Sequence, residues 1–168
     1  FSTRPCVILS GHFGNFEAGG YLTGMFGFKT HTIARPLDNK FLDRWLNGFR
    51  QTNGQTIMPR RGSAKQAALL LQQGGNLALL GDQFGGNKGC WIEFFGRPAS
   101  YHKAIAVFCI TSGAPMVVSY ARRLGDRPLQ IKLEVEGVYD PLADNHHLGG
   151  VREVTQWYND LLEQMIRR

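Results

Sequence analysis

Cysteine is scarce in this sequence, and its spacing excludes two classes of small protein. The 168 residues include 3 cysteines, at Cys6, Cys90 and Cys109. An odd number with no C-x-x-C pair is typical neither of a disulfide framework nor of a zinc finger. We therefore expect free thiols and a reducing compartment.

Long hydrophobic runs are missing as well. The longest apolar stretches, such as Leu77–Leu80, fall far short of the roughly 18–20 residues that span a bilayer. We expect neither a membrane-crossing helix nor a secretory signal. Because the sequence begins abruptly with a strand-like apolar segment, we also expect it to be part of a longer protein.

Acidic residues are outnumbered by basic ones. The chain has 13 Asp and Glu against 19 Lys and Arg, a net charge of +6. This excess suits polyanions such as nucleic acid, anionic lipid headgroups or phosphorylated substrates, and charge alone does not choose among them. A hydrophobic content of 43% excludes a disordered chain, and the length predicts a single domain over residues 1–168.

Strand-like and helix-like segments alternate, which predicts an α/β domain with a largely parallel sheet. The predicted strands are Cys6–Leu9, Lys29–Ala34, Gln55–Met58, Asn76–Leu80, Trp91–Phe95, Met116–Ala121 and Leu129–Val138. Three helices are predicted to begin at the N-caps Asn15, Asp38 and Ser63 and to end near Gly27, Asn53 and Gly74. Two more are predicted over Tyr101–Ser112 and Val151–Ile166, and a glycine-rich loop over Asp82–Gly89.

The most informative segment is Ser10–Glu17 (SGHFGNFE), where the first predicted strand ends and a helix begins. Ligands of open α/β sheets bind at that edge. His12 and Glu17 are separated by four residues, so we expect the carboxylate to reach an imidazole nitrogen and fix its tautomer. His12 would then act as a general base, and the N–H groups at the helix start would face developing negative charge.

Two other interpretations of this segment stay open. His12 is also compatible with a structural histidine at a helix start, with Glu17 as a solvated acid favoured by the helix dipole. A Ser–His–Glu hydrolase is less favoured than direct base catalysis, because the sequence contains no G-x-S-x-G turn.

Segment Gly11–Glu17 resembles the H-x4-D/E block of the lysophospholipid acyltransferase superfamily. Its G-H-F-G-N form is similar to the branch of bacterial lipid A biosynthesis acyltransferases, the lauroyl and myristoyl transferases. Further segments resemble blocks of that branch in the same order: Ala34–Asn39, Met58–Gly62, Leu80–Gln83, Phe94–Ala99, Gly113–Val118 and the closing helix Trp157–Arg168. The resemblance implies an acyltransferase α/β sandwich, a mostly parallel mixed sheet flanked by helices, trimmed of an N-terminal anchor and a C-terminal extension.

The resemblance also implies a reaction, a fatty acyl transfer from a thioester to a hydroxyl of a glycolipid such as a lipid A precursor, with another lysolipid or glycolipid as the alternative acceptor. The implied donor is an acyl-carrier protein, with acyl-coenzyme A as the alternative. No cofactor, metal or nucleic acid is implied. The implied place of work is an anionic membrane surface, the cytoplasmic face of the bacterial inner membrane.

Several further residues are candidates for substrate binding. Guanidinium groups grip phosphates bidentately, so Arg35, Arg60 and Arg61 suit a phosphorylated acceptor or the donor's phosphopantetheine, although solvated surface arginines are the alternative. Asn15 and Gln83 are candidates by resemblance. Asp82 either supports the site with its carboxylate or forms the turn after a strand.

The remaining candidates carry weaker signals. His146 and His147 lie near Asp144 but lack a third ligand at a metal-binding spacing, so we expect no metal site there. His31 and His102 are expected to be structural.

The aromatic residues Phe26, Phe28 and Trp45 suit either a core or a surface resting on lipid headgroups. Two rivals to the acyltransferase hypothesis remain, a hydrolase built on the same site and a non-catalytic module that binds anionic lipid or nucleic acid.

Overall fold

The computed structural model describes residues 4–126, 130–143 and 148–168. Within these residues the chain forms five helices and eight strands. The strands are β1 (Val7–Ser10), β2 (Thr30–Ala34), β3 (Gln55–Pro59), β4 (Asn76–Leu80), β5 (Cys90–Phe94), β6 (Arg97–Tyr101), β7 (Met116–Arg123) and β8 (Ile131–Tyr139). The helices are α1 (Phe16–Met25), α2 (Lys40–Gln51), α3 (Ser63–Gln72), α4 (Ala104–Ser112) and α5 (Val151–Ile166).

Six strands form one sheet in the order β3-β2-β4-β1-β7-β8, and β5 and β6 form a separate hairpin. The first five strands of the large sheet are parallel, and β8 runs antiparallel to β7 at its edge. The predicted mostly parallel mixed sheet flanked by helices is confirmed. Strand β1 lies between β4 and β7, so the residues that follow it meet the ends of two parallel neighbours.

The two sides of the sheet are packed differently. Alternate residues of the central strands, such as Val7 and Leu9 of β1, are fully buried in one apolar cluster with side chains of α3, α4 and α5. Tyr158 of α5 is fully buried and is the largest of the fully buried side chains. Helices α1 and α2, which the structure describes in full, contain no fully buried side chain. The sheet face that includes Ile8 and Ser10 therefore borders an open space instead of a filled core.

Local signals placed most elements correctly, with three errors. The predicted N-cap Asp38 is wrong, because Asn39 caps α2 by accepting the N–H groups of Phe41 at 3.0 Å and Leu42 at 3.2 Å. The predicted N-cap Ser63 is the first residue of α3, which follows Gly62.

The helix predicted from Tyr101 begins at Ala104, because Tyr101 ends strand β6, which the sequence analysis missed. All three cysteines carry free thiols. Among the described residues, none of the helices combines the length and the hydropathy needed to cross a bilayer.

Candidate active site

Strand register brings His12 and Asp82 together. Strands β1 and β4 are parallel neighbours with Ser10 opposite Leu80, and Gly81 extends the pairing by donating its N–H to Ser10 O at 2.8 Å. His12 and Asp82 each lie two residues beyond these partners. Two side chains 70 positions apart in sequence therefore meet at the carboxyl edge of the sheet, where open α/β folds bind their ligands.

The carboxylate of Asp82 holds His12 at two points. The backbone N–H of His12 donates to Oδ2 at 2.6 Å, and ring atom Nδ1 lies 2.7 Å from Oδ1. A carboxylate only accepts hydrogen bonds, so Nδ1 carries the proton and the neutral ring keeps its lone pair on Nε2. The side chains are 38% and 20% exposed, which leaves the ring open to a substrate.

Two glycines allow this arrangement. A Cβ at Gly11 would lie 2.6 Å from the Phe13 ring and 3.2 Å from Oδ2 of Asp82, so a larger residue would displace the Phe13 ring and crowd the carboxylate. Gly14 has a φ of +62°, and a Cβ there would lie 2.5 Å from the carbonyl oxygen of Ala121. The turn between β1 and α1 is thus fixed tightly against β7.

Among the residues that the structure describes, no hydrogen bond joins Glu17 to His12, the contact expected from their spacing. Glu17 accepts two hydrogen bonds from Arg50 of α2, one from Nε at 3.0 Å and one from Nη2. Asn15 donates its N–H to Ala121 O at 3.1 Å, which positions α1 so that Glu17 meets α2. Asp82, reaching across from β4, occupies the place beside the imidazole. Within α1 it is the Phe16 ring that touches His12, edge-on at 5.2 Å between centroids.

A cavity of about 680 Å³ opens beside His12 and extends under α1. Its walls are largely apolar, with Ile8, Ala78 and Leu80 from the sheet. Helix α1 contributes Gly19 and Gly20, where added Cβ atoms would lie 3.2 Å from Ala121 Cβ and 3.1 Å from Gln55 Nε2 respectively, so side chains here would intrude into the space. The cavity thus suits a long apolar group whose polar end lies near His12.

The structure brings some of the predicted binding residues to this cavity. Arg35 and Arg60 follow the paired residues Ala34 and Pro59 of β2 and β3, and both line the cavity with Gln83. Arg35 also donates to Asp38 at 2.7 Å.

Two other candidates lie outside this arrangement. Arg61 is exposed on the turn after β3. The side-chain oxygen of Asn15 accepts the Ala18 N–H at 3.1 Å, so this side chain caps α1. The predicted binding role of Asn15 would therefore depend mainly on its side-chain NH2 group.

The polar residues of the cavity that sequence reasoning missed include Arg50 and His102. Arg50 enters it from α2, and His102, which was expected to be structural, lines it after β6. No local motif marks either residue, because each reaches the cavity through the packing of its element. Nearby, burial and the charges of Asp82 and Glu163 raise the pKa of Tyr101 to about 12, so its phenol stays neutral. His146, His147 and Asp144 lie outside the described residues.

Comparison with known proteins places this geometry in a family. The sequence model of the bacterial lipid A biosynthesis acyltransferases matches residues 2–168, which is nearly the whole chain. A comparison with curated proteins finds no match. The matched region includes the His12–Asp82 pair and the residues of the cavity, among them Arg35, Arg50 and Arg60. The chain belongs to the bacterial lipid A biosynthesis acyltransferase family, whose enzymes transfer an acyl group from a donor to a lipid acceptor.

Proposed function

We propose that this enzyme transfers a fatty acyl group from an acyl thioester to a hydroxyl of a glycolipid, a lipid A precursor, with His12 as the general base. The observation that carries the proposal is the pairing of His12 Nδ1 with Asp82, because it leaves Nε2 as the proton acceptor on a ring that lines the cavity. In this proposal Asp82 replaces Glu17 as the residue that positions His12.

The reaction proceeds by direct attack. Nε2 of His12 takes the proton of the acceptor hydroxyl while the oxygen attacks the thioester carbonyl, and the Asp82 carboxylate stabilises the imidazolium that forms. The N–H groups at the start of α1, or Arg35, stabilise the oxyanion of the tetrahedral intermediate. Collapse breaks the carbon–sulfur bond, and the imidazolium returns its proton to the departing thiolate. No acyl-enzyme is formed.

The cavity under α1 supports an acyl chain as the transferred group. Most of the cavity surface is apolar and His12 is part of its lining, so a fatty chain inside it could place its carbonyl carbon beside the base. Glu17 and Arg50 neutralise each other within this space, which lets a charged pair lie beside an apolar ligand.

Charge at the cavity mouth favours an acyl-carrier protein as the donor. Arg35, Arg60, Arg61 and Lys65 are exposed at or near this edge of the sheet. An acidic carrier would be steered towards them, and the encounter would weaken as salt rises. We place the work of the enzyme at an anionic membrane surface on the cytoplasmic face of the bacterial inner membrane, with no nucleic-acid partner.

The base role is tested by His12→Ala, with acyl transfer followed by mass spectrometry of the acceptor lipid. Loss of a general base costs about 10²–10⁴-fold, so less than about a hundredth of the activity should remain. His102→Ala is the matched control, since His102 lines the same cavity and forms no ion pair with a carboxylate among residues 4–126, 130–143 and 148–168. Retention of more than a tenth of the activity by His12→Ala would refute the role. Free fatty acid as the main product of the unaltered enzyme would favour the hydrolase instead.

A further inference from the structure

Helix α2 presents its apolar side to solvent. Phe41, Leu42, Trp45 and Phe49 are 84%, 51%, 67% and 37% exposed. Its half-buried positions include three polar residues, Asp43, Asn47 and Arg50. A surface helix ordinarily turns its apolar stripe towards the core, so the arrangement is the reverse of the usual one.

The buried polar side fixes this orientation. Asp43 accepts the N–H of Leu37 at 2.9 Å and the side-chain amide of Asn47 at 3.1 Å. Arg50 forms its bidentate pair with Glu17 of α1. Rotating α2 to bury its aromatic residues would break all of these interactions and leave a carboxylate and a guanidinium without partners. The exposed aromatic stripe is therefore built into the fold.

The apolar surface continues from α2 onto α1. The Phe49 ring stacks on Tyr21 of α1 at 4.9 Å between centroids, and Trp45 stacks on Phe49 at 6.3 Å. Met25, one turn beyond Tyr21, is strongly exposed, as is Phe26 next to it. We call this surface the aromatic face, and it consists of Met25, Phe26, Phe41, Leu42, Trp45 and Phe49. Since α2 has 12 residues, the face extends over about 18 Å.

The free charge around the aromatic face is positive. Lys40 and Arg44 are exposed on α2 and have no acidic partner within residues 4–126, 130–143 and 148–168. The carboxylates of the same layer are already engaged, Glu17 with Arg50 and Asp43 with the two groups it accepts from. Aromatic and leucine side chains on one side of a helix with Lys and Arg beside them are typical of helices that lie in the plane of an anionic membrane surface.

We propose that the aromatic face lies in the headgroup region of an anionic lipid bilayer, with α2 parallel to the membrane plane. The inference deepens the proposed function and rests on it for the presence of a lipid substrate. Leu46 of α2 and Leu37, just before that helix, line the cavity. Docking on this face therefore brings the cavity close to the membrane that holds the acceptor.

Trp45 provides a direct test of the docked surface. Vesicles of phosphatidylglycerol with brominated acyl chains should quench its fluorescence. Vesicles of phosphatidylcholine with the same brominated chains should quench it only weakly. Trp45→Phe should abolish most of the quenching while the protein still sediments with the vesicles. Trp91→Phe, on the β5–β6 hairpin, is the matched control and should leave the quenching unchanged. Quenching that survives Trp45→Phe would place another surface on the membrane and overturn the proposal.

Vesicle sedimentation measures the contribution of the face. Phe41→Ser with Trp45→Ser should weaken binding to phosphatidylglycerol vesicles at least about tenfold, because two apolar side chains lose their burial. Leu69→Ser with Ile166→Ser changes two exposed apolar residues of α3 and α5 and should alter binding less than about twofold. Unchanged binding of the α2 variant would refute the docking.

Two measurements without vesicles test whether a second copy of the chain or an acyl-carrier protein covers the aromatic face instead of a membrane. If analytical ultracentrifugation shows a dimer that the Phe41→Ser and Trp45→Ser changes dissociate, the face is covered by a second copy and the proposal is wrong. It is also wrong if these changes weaken binding of an acyl-carrier protein in solution.

Activity on a detergent-dispersed acceptor keeps the two proposals apart. It should survive the α2 changes and be lost with His12→Ala. If the quenching and sedimentation results contradict docking while acyl transfer still depends on His12, the membrane inference alone is overturned.

Discussion

Asp82→Asn tests whether Asp82, which contacts His12 in the structure, positions the histidine, or whether Glu17 does so, as the four-residue spacing of the motif suggests. Two donors face the Asp82 carboxylate, the backbone N–H of His12 at 2.6 Å and ring atom Nδ1 at 2.7 Å. A carboxylate accepts both, whereas an amide offers one acceptor and one donor group. The backbone N–H cannot change its role, so the amide oxygen must face it. The amide N–H2 then faces Nδ1, which must give up its proton and become an acceptor.

This change places the ring proton on Nε2, where it blocks general-base catalysis. The imidazolium also loses the negative charge that stabilises it, an interaction of about 4 kcal/mol at an effective dielectric constant of 20 and a separation of 4 Å, and less where water screens it. Together these effects are expected to remove most of the contribution of the base, about 3–5 kcal/mol. We expect kcat for Asp82→Asn to fall roughly 10²–10⁴-fold, with a nearly unchanged melting temperature.

The matched comparison is Glu17→Gln. It leaves His12 and Asp82 in place and weakens the pair with Arg50, so we expect kcat to fall less than about tenfold and KM to change more, because the cavity is altered. Asp38→Asn changes a highly exposed carboxylate. It should weaken the ion pair with Arg35 and otherwise leave kcat and KM unchanged. Single-turnover transfer measured by lipid mass spectrometry gives both constants. A kcat for Glu17→Gln as low as that of Asp82→Asn would refute the assignment of Asp82 as the positioning residue.

The other predictions concern the cavity, the donor and the pH dependence of stability. Gly20→Val narrows the cavity, so competition between acyl donors should shift towards shorter chains. Arg60→Glu with Arg61→Glu should lower kcat/KM for an acyl-carrier protein more than for acyl-coenzyme A, and the difference should shrink as salt rises. Hydrogen bonds lower the pKa of Glu134 to about 2, and the bond from Arg122 contributes most. Its stabilisation is thus full above the unfolded pKa of about 4.3 and declines as the pH falls towards 2, so Glu134→Gln should flatten acid unfolding in this range.

Each of these predictions has a contrary outcome. Gly48→Val alters a helical glycine of α2 with open space around it, so a chain-length shift as large as that of Gly20→Val would remove the cavity argument. Arg152→Glu changes an exposed residue of α5, in the layer on the other side of the sheet from the cavity, and is the control for charge reversal. An equal loss of kcat/KM in this variant would show that the effect depends on net charge alone. An acid-unfolding curve unchanged by Glu134→Gln would contradict the stabilising role of that carboxylate in the native state.

Local sequence signals predicted those elements whose determinants lie within a few residues. Asn15 caps α1, and the bounds predicted for Asn76–Leu80 and Val151–Ile166 are those of β4 and α5. Strand β6 escaped because its hairpin turns through Phe95 and Gly96 with φ values of 51° and 72°. Such two-residue turns are ordinarily marked by Asn or Asp before the glycine, and a phenylalanine at that position carries no such signal.

The site itself was predicted only in part, because its main contact depends on strand order. His12 was found from its position after a strand, but its partner Asp82 follows the fourth strand of the chain, and only the placement of β4 beside β1 brings the two together. The four-residue spacing pointed to Glu17, and that carboxylate is engaged by Arg50 instead. The predicted arginines Arg35 and Arg60 reach the cavity for the same topological reason, since β2 and β3 pair in register at their carboxyl ends.

The division of the fold into two unlike layers explains how stability and substrate access coexist. The layer of α3, α4 and α5 contains the buried apolar cluster, so it supplies most of the hydrophobic stabilisation. The layer of α1 and α2 is held by a few specific contacts, chiefly the Glu17–Arg50 pair and the Tyr21–Phe49 stack. A filled core beneath α1 would leave no room for an acyl chain. The weakly packed layer is therefore the one that bears the cavity and the aromatic face, and elements with few buried apolar contacts are those that open at the lowest free-energy cost.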